Sequence, residues 1–95
     1  MSQRRYVTHD AGPALTLAEA KGLVRGTILY SRTWHGSDGR PGRWRVSGKP
    51  CVWITRPSRV RVPVKHGLYT CDYVEEWCLE TVSLSEHPTK VKRHV

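Results

Sequence analysis

The chain has 95 residues, with 16 Lys and Arg against 8 Asp and Glu, for a formal charge of +8 and a pI near 9.9. That length supports a single domain with a small core, and 38% hydrophobic residues, with four Trp, four Tyr and no Phe, are too few for a helical bundle but adequate for a small β-barrel with aromatic anchors. The charge points to an anionic partner, and no apolar run approaches the ~20 residues a membrane helix needs.

Residues 1–13 are polar, end in Ala11-Gly12-Pro13 and contain no continuous apolar h-region, which argues against a secretory signal. Thr16-x-x-Glu19 has capping-box spacing and predicts a helix of one or two turns that stops at Gly22. Val24–Arg32 reads as a first strand around the β-prone Thr27-Ile28-Leu29-Tyr30. A long connection follows over residues 33–42, with Asp38-Gly39 and Pro41-Gly42 as turn signals.

The centre has the clearest pattern. Arg43-Trp44-Arg45-Val46 alternates, so Trp44 and Val46 are expected inside and Arg43 and Arg45 outside. Ser47-Gly48-Lys49-Pro50 forms a turn. Cys51–Thr55 is a strand apolar on both faces; if Val52 and Ile54 point inward, Trp53 lies outside among arginines. Arg59–Lys65 alternates again: Val60, Val62 and Val64 inward, Arg59, Arg61 and Lys65 outward. Pro63 removes a backbone donor and predicts an edge or bulged strand. His66-Gly67 ends it, Leu68–Val74 reads as a further short strand, and residues 74–79 fit either a helical turn or the start of a last strand. The polar tail begins at Ser83. The reading is one domain over 1–95, with an ordered core at about 15–82 and peripheral segments at 1–13 and 83–95.

About five short strands with tight turns predict a mainly β fold, a small SH3-like barrel with a short N-terminal helix. The wording "GTILYSRT", "GRWRVSGK" and "RVRVPVKHGL" resembles small uncharacterised bacteriophage-encoded proteins of SH3-like barrel type. The resemblance spans about two-thirds of the chain. It implies a fold and a viral origin and assigns no functional residue.

Residues 39–71 hold eight cationic residues and no acid, whereas 72–89 hold five acids and no Lys or Arg. Unopposed charge costs stability through self-repulsion, which suggests a partner that neutralises it. Arg43, Arg45, Arg59, Arg61 and Lys65 are expected to share one face with nothing negative opposing them, a surface suited to phosphates. Lys49 would extend it, and Trp53 and Trp34 would stack on bases. Nucleic acid is the leading partner. The alternative is an acidic host-protein surface, because Arg and Trp also dominate protein interfaces. No catalytic motif is present, so the expectation is a binding protein rather than an enzyme. His66, Cys71 and Cys78 lack metal-knuckle spacing, and no metal or other cofactor is expected. Three cysteines, an odd number, do not suggest a disulfide framework. The expected setting is a reducing one, the cytoplasm, and a host cytoplasm if the protein is viral.

Overall fold

Alternation builds the main sheet. The computed structural model describes residues 7–67 and 70–90. Strand β1 spans Val7–Ala11, helix α1 Leu17–Lys21, β2 Ile28–His35, β3 Pro41–Val46, β4 Cys51–Trp53, β5 Arg56–His66 and β6 Thr70–Glu75. A 3-10 helix over Glu76–Thr81, then β7 at Val82–Ser83 and β8 at Glu86–Lys90, complete the order. The protein is mainly β, but its sheets are open. β5 is flanked by β6 on one edge and by β4 and β3 in succession on the other, with β2 and β7 beyond β3. A closed barrel of about five strands was expected; eight strands occur among the described residues, in two sheets. No helix among them is long and apolar enough to cross a membrane.

The core follows the expected parity. Val60, Val62 and Val64 are buried, as is Val46, and Trp44 packs against the cluster from its edge. Leu29 on β2, Val74 on β6 and Val82 on β7 add to the same layer. Helix α1 and the 3-10 helix cover that layer with Ala20 and Leu79. The capping box forms as the spacing predicts: the Thr16 hydroxyl accepts from Glu19 N, and the Glu19 carboxylate accepts from Thr16 N at 2.9 Å. Among the described residues no such layer covers the opposite face of the sheet. An antiparallel sheet covered on one side leaves its other face to solvent.

Several boundaries differ from the sequence reading. The first strand begins later, because Gly26 turns with φ 94° and hands its N–H to Val46 O. It also runs further: the supposed loop residues Thr33, Trp34 and His35 are strand, and the connection shrinks to the turn at 36–40. The register breaks between Tyr30 and His35. The buried Ser31 hydroxyl accepts from Thr33 N at 3.1 Å and Trp34 N at 3.2 Å, which satisfies the donors that the bulge frees.

Pro63 is not on an edge strand. Its carbonyl accepts Ser47 N–H at 2.9 Å, at the junction where β4 ends and β3 begins beside β5. A strand residue's N and C=O face the same side, so the missing donor falls where no partner asks for one. Residues 74–79, ambiguous by periodicity, end β6 and turn into the 3-10 helix. The terminal segments expected to be peripheral pair with each other, Val7 opposite Lys90 through Ala11 opposite Glu86. Glu86 holds this ribbon to the β2–β3 turn by accepting from Arg40 Nε at 3.3 Å and from Arg40 Nη2.

Candidate nucleic-acid interface

Strand register decides which cations meet. Ile28 lies opposite Arg45 and Tyr30 opposite Arg43, while Arg45 also faces Lys65 across β3 and β5. Directly opposed residues project to the same face. Tyr30, Arg43, Arg45 and Lys65 therefore gather on the uncovered side, around a groove of about 710 Å³. Ile28 and Trp44 give the groove apolar wall, and Gly67 also lines it. Among the described residues no ion pair engages Arg45 or Lys65. Arg43 reaches Asp38 at 3.3 Å, with both side chains about half exposed (42% and 50%). Such a pair is screened and readily exchanged for another anion. Asp38 is held below the usual carboxylate range first by the Arg40 N–H bonded to it at 3.0 Å, and then by the nearby Arg43. Its charge thus has a structural use in shaping the turn.

A second, smaller groove of about 210 Å³ adjoins the first through Arg43 and Gly67. Trp34 lines it but is not a free stacking surface. Its ring meets Trp44 edge-on at 5.7 Å and His66 at 5.5 Å. A Cβ on Gly42 would lie 2.1 Å from that ring, so glycine there is what lets the indole seat on the β3 backbone. His66 in turn donates from Nδ1 to Arg43 O at 2.9 Å, fixing the strand ends beside the groove.

Arg59 and Arg61 have the expected outward parity but not the expected freedom. Arg61 sits opposite Glu75 across β5 and β6. Glu75 Oε1 accepts from Arg61 Nη2 at 2.6 Å and Nε at 2.8 Å. The bond to Glu75 raises the Arg61 pKa further above its ordinary value. Arg59 Nε lies 3.8 Å from Glu76 Oε1, the oxygen that also accepts Val60 N–H at 3.1 Å. The expectation that no acid opposes these residues is therefore corrected for Arg59 and Arg61. The acid-rich segment that follows them in sequence folds back alongside β5.

The condition set for Trp53 holds at Val52 and fails at Ile54. Val52 pairs opposite the buried Val60 and so has the inward parity, yet it is 49% exposed because β4 is a three-residue edge strand; Ile54 lies beyond β4 in the turn and is 99% exposed. Trp53 is half-buried, and its ring lies under the Arg59 guanidinium at 4.6 Å, so one face is already occupied. Lys49 lines a separate groove of about 400 Å³ with Lys21 and Arg25, away from the Arg43–Arg45–Lys65 set. Tyr30 and Ile28 were not singled out from sequence, and His66 was weighed there only as a metal ligand. The alternation of Ile28 and Tyr30 on β2 marked them as one face, but only the β2–β3 register reveals that the face is that of the arginines. Trp77 is 61% exposed.

The described residues hold no group of three His, Cys, Asp or Glu poised to hold a metal ion. Comparison with family models, with curated proteins and with solved structures returned no match.

Proposed function

We propose that the protein is a non-enzymatic module that binds nucleic acid along the open face of its main sheet. The observation that carries this reading is the groove in which Arg45 and Lys65 stand beside Tyr30 with no acidic partner among the described residues. Arg45 and Lys65 would contact phosphates, with Arg43 joining them by exchanging Asp38 for a phosphate oxygen. Tyr30 offers a ring for a base or sugar at the same level. Released counterions would supply most of the affinity, so binding would be strongly salt-dependent and weakly sequence-dependent.

The test is fluorescence anisotropy with labelled single- and double-stranded oligonucleotides from low to moderate salt. The reading predicts a log-log slope of roughly 2–3 units, one per phosphate contact, and weaker binding by Tyr30→Ala at unchanged slope. Binding no tighter than that of a charge-matched unrelated protein would overturn it.

A second reading, docking on an acidic protein surface such as a phage protein would meet on a host factor, is favoured by Tyr73 and Trp77, 57% and 61% exposed. It predicts binding to an acidic polypeptide that Trp77→Ala weakens and Tyr30→Ala does not.

A further inference from the structure

We propose that the tip of the β4–β5 hairpin is an apolar wedge that enters a base step of duplex DNA and kinks it. The proposal rests on the nucleic-acid reading and adds a mechanical role at a second place on the molecule.

The first observation is Ile54. It stands at the two-residue turn closed by Trp53 opposite Arg56, and it is 99% exposed. Isoleucine is among the side chains folded proteins most often bury. Residues 54–58 are exposed throughout, so no other part of the described chain covers the tip. A protein-docking patch needs several contiguous apolar side chains to make a dry centre. The tip instead presents one fully bare aliphatic side chain, with Val52 half-exposed behind it. A wedge needs only one. Minor-groove proteins insert Ile, Leu or Pro between base pairs and bend the duplex by ~20–90°.

The second observation is charge. Arg56 flanks the turn, is exposed, and has no ion pair among the described residues. No acid occurs between residues 39 and 71. A tip that is both apolar and cationic matches a base step lying between two phosphate strands.

The third is stiffness. A wedge must hold its shape against the cost of unstacking. Arg59 stacks on Trp53, Lys21 Nζ donates to Pro57 O, Glu76 accepts from Val60 N–H, and Glu75 grips Arg61. The carboxylates that withdraw Arg59 and Arg61 from the phosphate-binding set thereby brace the prong. From Arg56 to Lys65 along β5 is roughly 25–30 Å at about 3.3 Å per residue, so one duplex of about 8 base pairs could touch both groove and tip at ~3.4 Å per pair.

The experiment uses an ~18-base-pair duplex, about 60 Å long, with donor and acceptor dyes on opposite ends. Saturating wild-type protein should raise energy transfer. Ile54→Ser should bind within ~3-fold of wild type yet leave transfer at the free-duplex level, and Ile54→Leu should restore the rise. Thermal unfolding of each variant should match wild type, since Ile54 is 99% exposed. If wild-type protein does not bind the duplex at all, the functional reading itself falls. If it binds without changing transfer, or if Ile54→Ser changes transfer as wild type does, the wedge alone falls. It falls equally if Ile54 supports co-sedimentation with phosphatidylserine vesicles while the bound duplex stays straight.

Discussion

Two regions of one sheet carry the same residue types with the same outward parity and behave differently. On β3 and at the end of β5, Arg45 and Lys65 face each other and Tyr30's strand, with no carboxylate among the described residues paired to either. Four residues before Lys65 on the same strand, Arg61 is gripped by Glu75 at 2.6 Å, and Arg59 lies near Glu76. The difference comes from the neighbouring strand. β2 brings Ile28 and Tyr30 alongside the first set, while β6 and the 3-10 helix bring glutamates alongside the second. An acid-free stretch of sequence is therefore not an acid-free surface; the register of the strand alongside decides.

The comparison can be broken at its foundation, the shared sheet. Leu29 is fully buried on β2 beneath the groove. Leu29→Ala should cost about 2–5 kcal/mol in urea unfolding and weaken both regions together. Unchanged stability with nucleic-acid binding retained would mean that the groove does not depend on this packing. Next in size, Gly42→Ala should drive Trp34 off the β3 backbone and cost about 1–3 kcal/mol, with a shift in tryptophan emission. An unchanged spectrum would contradict the seating of that ring.

A sharper contrast comes from removing the clasp. Glu75→Gln should free Arg61 and steepen the salt dependence of nucleic-acid binding by up to ~1 unit. An unaltered slope would show that Arg61 is out of reach of the bound strand. The smallest effect concerns the terminal ribbon. The Arg40 guanidinium, bonded to the Glu86 carboxylate, holds Glu86 below its ordinary value of 4.5. A carboxyl depressed in the folded state adds stability that is fully present above pH 4.5 and lost as pH falls through the depressed folded value. Urea midpoints of wild type should therefore drop as pH falls below that point, and Glu86→Gln should lie below wild type at pH 7 and converge with it in acid. Parallel curves would remove Glu86 from that role.

Much of the inner face could be read directly. Val60, Val62 and Val64 against Arg59, Arg61 and Lys65, and Trp44 and Val46 against Arg43 and Arg45, follow from period two alone. The Thr16–Glu19 cap was equally plain, being local. What escaped depended on partners distant in sequence. Val52 and Ile54 look like core residues until β4 proves to be a short, uncovered edge. Trp34 and His35 look like loop until the Ser31 hydroxyl stabilises a bulge that extends β2. Pairing of Val7–Ala11 with Glu86–Lys90 joins two polar segments with no local signal. Lys49 shared the charge of the central set but not its place. The Arg61–Glu75 contact required the β5–β6 register, which the sequence between the two strands does not reveal.

The most direct measurement is a salt titration of nucleic-acid affinity for two double variants, Arg45→Ala with Lys65→Ala and Arg59→Ala with Arg61→Ala. The first pair should lower the log-log slope by about 2 units, and the second should leave it nearly unchanged. Equal losses from both pairs, or a larger loss from the second, would contradict the claim that the open groove rather than the clasped arginines meets the phosphates.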